Sequence, residues 1–258
     1  MMRPIHRLYA WHLRSRLAGA ALPRHVALVM DGNRRWAQQA GFDDAGVGHR
    51  HGGEHLRDVL GWCAEAGIED VTVYVASVDN VRKRAPEEVA GLMRLIEEAA
   101  AASGSGALRG WRLHLAGDLD VLPESTRSAL RRAERASAER SDTGRPARFH
   151  LTVAVGYDGR AEIAAAVRAL LADEARAGAS LDDVAERLTV DDIAARLYTA
   201  GRPDPDLVIR TSGERRTSGF LLWQAANSQL YFCDVYWPGF RRIDFLRALR
   251  SYAARARP

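Results

Sequence analysis

Short apolar runs alternate with amphipathic segments along most of the chain. The first run ends abruptly in a polar loop, and those at 71–76 and 149–155 are rich in β-branched residues, which is typical of buried strands. The runs lie at residues 25–30, 71–76, 111–116, 149–155, 207–210 and 230–235. Helical periodicity fills the intervals, at residues 50–66, 86–102, 123–140, 159–177, 180–199 and 241–255. Strands that alternate with long helices predict an α/β fold with a central, mostly parallel six-stranded sheet flanked by helices.

The N-terminal segment has a different pattern. Residues 4–18 mix leucines and aromatic residues with arginines and histidines, which is typical of a basic amphipathic helix. Such a helix packs on its own domain, on a partner subunit or on a membrane surface, so peripheral membrane contact is one of three alternatives. The loops at 101–106 and 141–146 are too short to separate domains. We therefore predict an N-terminal helical extension, 1–22, followed by a single domain, 23–258.

Composition narrows the function classes. Of the 258 residues, 47% are hydrophobic and 27% charged, and no apolar run approaches the roughly 18–20 residues of a membrane-spanning helix. Cys63 and Cys233 lie far apart in apolar surroundings, which favours free thiols and a reducing, cytoplasmic compartment. Lys83 is the only lysine among many arginines, and the net charge of +4 is too small and too evenly spread to indicate nucleic-acid binding.

Chemically distinctive residues concentrate in loops that follow three of the strands, where parallel sheets bind their ligands. Directly after the first strand, Asp31 precedes a glycine, an asparagine and two arginines that open a helix. A carboxylate in that position is suited to Mg²⁺, and a helix N-terminus with arginines is suited to phosphate. Taken alone, a solvated Asp-Gly turn with surface arginines explains this loop equally well.

The two other loops differ in how strongly they indicate a ligand. Ser77, Asp79 and Asn80 follow the second strand, but they are all good helix N-caps, so this loop by itself favours a capping role. Residues 210–219 carry three arginines, two serines and two glycines directly after a short strand. Charge-assisted donors, hydroxyl groups and glycines in one loop are typical of a diphosphate site.

A group of acidic residues further along has a structural explanation. Ser180 with Asp183, and Thr189 with Asp192, have the spacing of an N-cap and its N3 residue. Both pairs therefore predict helix capping rather than a metal site.

Taken together, the loops resemble those of a known family. The segments HVALVMDGNRRWA, GHRHGG, SVDN, DPDLVIRTSGERRTSGFLLWQ and LYFCDVYWPGF resemble those of the cis-prenyltransferases, the undecaprenyl diphosphate synthase family. The resemblance extends from Pro23 to Tyr252. The segments RLYAWHLRSRL and AVGYDGR are most similar to the short-chain Z-farnesyl diphosphate synthase branch. The resemblance implies an enzyme that condenses isopentenyl diphosphate with dimethylallyl or geranyl diphosphate to a Z-prenyl diphosphate of about C15. It also implies that Mg²⁺ assists departure of the allylic diphosphate.

The resemblance assigns roles to individual residues. Asp31 is the expected metal ligand and essential acid, and Asn80 is assigned to proton removal. Because a neutral amide is a poor base, we expect Asn80 to orient the substrate while a diphosphate oxygen takes the proton. The allylic diphosphate would be held by Gly32, Asn33, Arg34, Arg35, Trp36, His49, Ser77 and Arg84. The diphosphate of the second substrate would be held by Arg210, Arg216, Thr217 and Ser218.

The chain departs from the family pattern near the metal. Gln229 stands where the family has a metal-ligating glutamate, and its neutral oxygen would bind Mg²⁺ more weakly. This substitution leaves two alternatives to the regular reaction. One is head-to-middle coupling of two allylic diphosphates, as in lavandulyl-type diphosphate synthases, and the other is a catalytically silent partner subunit. The regular reaction is favoured because a glutamine oxygen still coordinates metals, and because Asp31 and Asn80 are intact.

The resemblance also implies a homodimer whose interface includes the C-terminal loop and helix, and no nucleic-acid partner. Product length is expected to depend on side chains that border a hydrophobic tunnel. Val75 lies on a strand beside that tunnel, and Met93 and Ile96 lie on the helix after the SVDN loop. Bulk at these positions would stop chain growth early.

Overall fold

The computed structural model describes residues 15, 17–102, 108, 110–141 and 147–256. The predicted N-terminal helix, with its predicted membrane contact, lies outside the described residues except for Ser15, Leu17 and Ala18. Leu17 is buried in the main core, and Leu22 packs against that core. Across these described ranges, no helix is both long enough and apolar enough to cross a membrane. The domain boundary after residue 22 stays a prediction.

Six strands form one sheet in the order β3-β4-β2-β1-β5-β6, and every neighbouring pair is parallel. The strands are β1 (His25–Val29), β2 (Asp70–Ser77), β3 (Trp111–Ala116), β4 (Phe149–Tyr157), β5 (Leu207–Arg210) and β6 (Gln229–Phe232). The predicted α/β fold with a six-stranded sheet is confirmed, and all of its pairings are parallel. The last strand ends earlier than its apolar pattern predicts.

Helices connect the strands: α1 (Asn33–Gln39), α2 (Ala45–Glu65), α3 (Val78–Lys83), α4 (Pro86–Ala101), α5 (Glu124–Ser141), α6 (Gly159–Arg176), α7 (Leu181–Arg187), α8 (Val190–Ala194) and α9 (Arg242–Arg255). The single helix predicted over 180–199 is wrong, because two short helices lie there. Each starts with a capping box, Ser180 with Asp183 and Thr189 with Asp192, so the capping prediction is confirmed. The second cap interrupts the helix because Thr189 is extended, with φ −117° and ψ 166°.

The sheet is buried on both faces. Val26 and Leu28 of β1 belong to the main core, which α2, α4, α5 and α9 help to form. Ala27 and Val29 alternate with them and belong to a smaller core on the opposite face, which includes Phe220. Successive side chains of a strand point to opposite faces, so burial of both faces makes the whole strand apolar.

The carboxyl ends of β2, β1 and β5 lie side by side. Val29, the last residue of β1, is in register with Tyr74 of β2 and with Arg210 of β5. The three predicted ligand loops therefore leave the sheet at neighbouring points. Strand order thus gathers residues that are distant in sequence at one edge of the sheet.

Candidate active site

Asp31 is fixed just beyond the carboxyl end of β1. Its backbone N–H donates to Thr211 Oγ1 at 3.0 Å, and the Thr211 hydroxyl donates to the Asp31 carbonyl oxygen at 2.7 Å. Gly32 follows with a φ of 101°, and a Cβ there would lie 2.7 Å from Tyr236 Cδ1. Only glycine suits this turn, which ends the Asp31 segment and starts α1.

The Asp31 carboxylate is shared between two arginines. Arg210 Nη2 donates to Oδ2 at 2.9 Å, and Arg35 Nη2 donates to Oδ1 at 3.2 Å. Burial by itself would raise the pKa of Asp31, but hydrogen bonding to Arg210 and the charges of both arginines hold that pKa below its usual value. The carboxylate is therefore ionised at neutral pH.

Arg210 joins Asp31 to the loop that follows β5. The Arg210 side chain is buried, and its Nη1 donates to Ser218 Oγ at 2.7 Å. Arg216 of the same loop is exposed and pairs with Glu214 at 3.3 Å. We call Arg210, Arg216 and Ser218 the second cationic cluster. Its buried arginine is fixed by neighbours, whereas its exposed arginine is open to an anion.

Packing against β2 positions this loop. Phe220 stacks on Tyr74, with ring centroids 4.7 Å apart and an interplanar angle of 10°. Tyr157 contacts both rings edge-on. The loop end is therefore anchored by aromatic burial, and its arginines are carried on a fixed base.

His49, Arg84 and Arg34 form the first cationic cluster. A Cβ on Gly48 would lie 2.1 Å from the Asn33 carbonyl oxygen, so glycine allows α2 to lie directly against the start of α1. Arg84 Nη1 lies 3.4 Å from His49 Nε2. Burial, and then the charge of Arg84, lower the pKa of His49. His49 is therefore neutral at pH 7 and serves as a hydrogen-bonding group between two arginines.

Ser77 and Asn80 take part in a helix cap and also line the polar cavity. Ser77 Oγ accepts a hydrogen bond from the Asn80 backbone N–H at 2.9 Å and caps α3. The capping role that this loop predicts is confirmed. Both residues also line the cavity that contains Asp31.

One cavity of about 450 Å³ brings most of the predicted site residues together. It holds both cationic clusters with Asp31. The predicted residues that line it are Asp31, Gly32, Asn33, Arg34, Arg35, His49, Ser77, Asn80, Arg84, Arg210, Arg216 and Ser218.

Trp36 and Thr217 are predicted site residues that do not line this cavity. Trp36 packs against His51, with ring centroids 4.9 Å apart, and against Phe42. The Thr217 carbonyl oxygen accepts a hydrogen bond from the Phe220 N–H at 3.1 Å. Trp36 therefore supports α1 from outside the cavity, and Thr217 shapes the loop.

The prediction that Gln229 joins Asp31 at a metal is corrected by the sheet register. Gln229 begins β6 and pairs with Leu207, the first residue of β5, whereas Asp31 lies beyond the last residue of β1. Gln229 Nε2 instead donates to the Tyr252 carbonyl oxygen at 3.5 Å. Parallel strands place these two residues at opposite edges of the sheet, so they cannot share one ion within a chain.

An apolar cavity of about 310 Å³ adjoins the polar one. The two share five lining residues: Met30, Asn33, His49, Tyr74 and Val75. The apolar cavity extends between α2, α4 and the sheet. Val75 and Ile96 line it as predicted, whereas Met93 is buried in the core and is not part of the lining.

Sequence reasoning missed three residues of this site. Tyr74 lies where the cavities meet, and burial raises its pKa to about 12, so it stays a neutral hydroxyl. Glu214 lines the polar cavity, and Glu88 pairs with the first cationic cluster. Tyr74 and Glu88 lie outside the distinctive loops, and Glu214 lies within one of them but is an acid among arginines, to which no ligand role was assigned.

The donor set fits Mg²⁺. Among the described residues, no group of three or more His, Cys, Asp or Glu side chains is placed to hold a metal ion. Asp31 instead supplies one ionised carboxylate inside a cavity rich in anion-binding groups. Mg²⁺ is commonly held by one or two carboxylates together with substrate phosphates and water. Asp31 would therefore hold the ion jointly with a bound diphosphate.

Comparison with known proteins gives consistent results. A Streptomyces fradiae protein named isoprenyl transferase is 53% identical over 251 residues, covering 97% of this chain and 95% of that protein. The (2Z,6E)-farnesyl diphosphate synthase of Mycolicibacterium smegmatis is 46% identical over 259 residues, covering 100% of this chain and 96% of its own. Among solved structures, lavandulyl diphosphate synthase from Lavandula x intermedia in complex with dimethylallyl diphosphate has a TM-score of 0.80 and 30% identity, covering 92% and 98% of the two chains.

The family itself is identified by a sequence profile. The profile described as undecaprenyl diphosphate synthase matches residues 29–258. This range includes the Asp31 loop, both cationic clusters and all strands after β1. The chain therefore belongs to the undecaprenyl diphosphate synthase family of prenyltransferases, the family that its loops resemble.

Proposed function

We propose that the protein is a short-chain cis-prenyltransferase. It joins isopentenyl diphosphate to dimethylallyl or geranyl diphosphate and releases a Z-prenyl diphosphate of about C15. The main support for this proposal is that the two cavities meet. The polar cavity with its two cationic clusters joins the apolar cavity at Met30, Tyr74 and Val75. Two relatives of similar length bear the names short-chain Z-isoprenyl and (2Z,6E)-farnesyl diphosphate synthase, which supports the product class.

The junction fits an allylic diphosphate in one orientation. Arg34, Arg84 and His49 bind the diphosphate through charge-assisted and neutral hydrogen bonds. The hydrocarbon tail enters the apolar cavity between α2 and α4, where its burial contributes affinity. The reacting carbon, C1, is then held near Asp31 and Asn80.

The second cationic cluster binds isopentenyl diphosphate. Arg216 is the exposed arginine, and Arg210 with Ser218 orders the loop that carries it. Two diphosphates held on a fixed frame place the attacking double bond and C1 within reach of each other. Mg²⁺, when bound at Asp31, supplies Lewis-acid stabilisation of the departing diphosphate.

The reaction balances without an oxidant or reductant. The C1–O bond breaks and its electron pair leaves with pyrophosphate. The double-bond electrons of isopentenyl diphosphate form the new bond to C1, and loss of a C2 proton leaves the Z double bond. The Asn80 amide orients the reacting chain, and a diphosphate oxygen accepts the proton.

Head-to-middle coupling of two allylic diphosphates is the second candidate, and the likeness to lavandulyl diphosphate synthase favours it. The regular reaction stays ahead for two reasons. Gln229, the residue that suggested an altered metal site, lies at the opposite edge of the sheet from Asp31. The relatives named farnesyl diphosphate synthase are also more similar in sequence, at 46–49% identity against 30%.

A product assay tests the proposal. The purified protein is given Mg²⁺ with isopentenyl diphosphate plus dimethylallyl or geranyl diphosphate, and separately with allylic diphosphates alone. Mass spectrometry compares the dephosphorylated products with Z and branched standards. A linear C15 Z product that requires isopentenyl diphosphate is expected. A branched product from allylic substrates alone would establish the second candidate, and no product under either condition would favour a silent subunit.

We also propose that the protein is a homodimer in the cytoplasm. The last strand, β6, is an edge of the sheet, and Leu230 on it is exposed. An uncovered edge strand with an apolar side chain is suited to burial against a second copy. Sedimentation analysis at micromolar concentration is expected to give a dimer mass, and a monomer would contradict this proposal.

A further inference from the structure

Glu88 is a half-buried acid in contact with all three members of the first cationic cluster. Its Oε1 accepts a hydrogen bond from Arg84 Nη1 at 3.0 Å and lies 3.5 Å from His49 Nε2. Its Oε2 lies 3.7 Å from Arg34 Nη1. The Glu88 side chain is only 17% exposed. One carboxylate thus gathers the groups that we assign to the allylic diphosphate.

These contacts place Glu88 in competition with a bound anion. Arg84 and Arg34 each direct Nη1 at Glu88, so a diphosphate on the same side chains would compete with Glu88 for these two nitrogens. Two anions on one cluster repel each other, and the repulsion is strong where burial lowers the local dielectric. A multiply charged diphosphate would interact with these arginines more strongly than a single carboxylate does.

Glu88 also begins the face of α4 that forms the apolar cavity. It lies in the first turn of α4, and Leu92, Leu95 and Ile96 follow it at helical spacings of four, seven and eight residues. Residues with these spacings share one face of a helix. Leu92, Leu95 and Ile96 all line the apolar cavity. The helix that contacts the cationic cluster through Glu88 therefore also forms one wall of the apolar cavity.

We propose that Glu88 is a positioning residue that occupies the allylic diphosphate cluster when substrate is absent and ties that cluster to the α4 wall of the apolar cavity. The proposal rests on the proposed function for the identity of the anion. Arrival of the diphosphate replaces the Glu88 contacts and frees the start of α4, so the wall adjusts to the incoming tail. After reaction, Glu88 returns and favours release of the product diphosphate.

Binding of inorganic pyrophosphate, measured by calorimetry without Mg²⁺, tests the competition. Glu88→Gln keeps the shape of the side chain and removes the competing charge, so we expect pyrophosphate to bind about fivefold more tightly. Glu88→Asp keeps the charge and is expected to stay within about twofold of the unchanged protein. Glu87→Gln is the matched control, because Glu87 is an exposed acid in the same turn of α4, and it is expected to change nothing.

Weaker binding of pyrophosphate by Glu88→Gln would overturn the proposal. If Glu88 only supported the arginines, Glu88→Gln would weaken pyrophosphate binding, and an unchanged affinity would equally exclude competition. Thermal unfolding of each variant checks that the fold is intact. Glu88→Ala also removes the carboxylate charge and provides the same comparison if the glutamine variant does not fold.

Steady-state kinetics separates this role from a general structural one. In Glu88→Gln the KM for geranyl diphosphate is expected to fall about fivefold while the KM for isopentenyl diphosphate stays within about twofold. Equal changes in both KM values would contradict a role at the allylic cluster. If the unchanged protein makes no product, the proposed function fails, and the pyrophosphate measurement still decides the role of Glu88.

Hydrogen exchange tests the connection to the cavity wall. Pyrophosphate has no tail, so it reports the effect of displacing Glu88 alone. Amides in the first half of α4 are expected to exchange faster when pyrophosphate is added to the unchanged protein. Glu88→Gln is expected to show the faster exchange before any addition. Unchanged exchange in both experiments would show that α4 is not tied to the cluster.

Discussion

Two carboxylate–arginine pairs lie at opposite edges of the sheet and differ in which partner faces solvent. At the carboxyl edge, Arg210 is 6% exposed and Asp31 is 31% exposed, with Nη2 and Oδ2 2.9 Å apart. At the amino edge, Asp70 is 10% exposed and Arg202 is 21% exposed, and Arg202 Nε donates to Asp70 Oδ1 at 3.1 Å. The first pair leaves its acid open, whereas the second encloses it.

The surroundings of the pairs explain this difference. Asp31 borders a cavity into which loops and helix N-termini project, so its free oxygen lone pairs face a space for ligands. Asp70 begins β2, and its partner Arg202 lies in the segment before β5. His25 contacts the same segment, with Nδ1 2.7 Å from the Pro203 carbonyl oxygen. An ion pair within a sheet is therefore a candidate for catalysis only where its acid remains accessible to a ligand.

The largest expected effect is on catalysis at the carboxyl edge. Asp31→Asn removes the charge that faces the cavity and is expected to lower kcat by about 10²- to 10³-fold, the range found when one preorganised electrostatic group is lost. Arg210 keeps its hydrogen bond to Ser218 but loses its ion-pair partner, so a lower urea midpoint is also expected and kcat is compared on fully folded protein. Asp43→Asn, at an exposed position after α1, is the control. Retention of a tenth of the activity in Asp31→Asn would contradict the assignment.

The amino-edge pair is expected to show the converse behaviour. Asp70→Asn leaves the Arg202 charge without its partner and is expected to reduce the free energy of unfolding by about 2 kcal/mol. Activity at 25 °C should stay within about twofold because Asp70 lies far from the cavity. Urea unfolding and the product assay measure the two quantities on one preparation. A loss of activity larger than the loss of folded protein would show that the two edges are coupled.

Acid is expected to reduce stability through a histidine pair that joins β3 and β4. His114 Nε2 lies 3.0 Å from His150 Nδ1, and burial, followed by the charge of Arg202, lowers the pKa of His114 to about 4. The unfolded histidine binds protons near pH 6.5, so protons favour unfolding between these values. Stability is therefore present above about pH 6.5 and is lost as the pH falls towards 4.

A variant isolates this contribution. His114→Gln is expected to reduce the stability loss between pH 7 and pH 5 by on the order of 1 kcal/mol, with His51→Gln on the surface of α2 as the control. Because the pKa of Asp31 lies below its usual value, that carboxylate stays ionised across the same interval. An unchanged pH profile in His114→Gln would exclude this source of acid sensitivity.

The smallest expected effect concerns product length. Val75→Ala widens the junction of the two cavities and is expected to give a minor fraction of product one isoprene unit longer. Val71→Ala removes the same volume from β2 at a buried position outside the cavity lining, so it serves as the control. Mass spectrometry of the products distinguishes them. Equal product distributions would place the limit on chain length elsewhere in the apolar cavity.

The sequence predicted much of this architecture. Apolar, β-branched runs between helices made the parallel sheet predictable, because both faces of such strands are buried. The break at Thr189 was missed as a boundary, although its capping spacing was recognised. Helical periodicity continues across it, and only the extended backbone of Thr189 separates α7 from α8.

The candidate site was predictable where a loop carries its own chemical signal. Asp31 and Arg210 lie in loops with unusual composition, and most of their neighbours by motif line the same cavity. Gln229 was misplaced because a motif does not state at which end of a strand it lies. Glu88 was missed because an acid on a charged helix is ordinary until packing sets it against His49 and Arg34.

By itself, the sequence determined the class of fold, the loops that carry ligand chemistry and the family. Those features depend on local patterns, such as strand periodicity, capping residues and clusters of arginine and glycine. The tertiary structure alone decided which charges meet. Contacts such as those of Arg210 with Asp31, or of Glu88 with His49 and Arg34, join segments that strand order and helix packing bring together. Their energies depend on distance and burial, and neither quantity can be read from the order of residues along the chain.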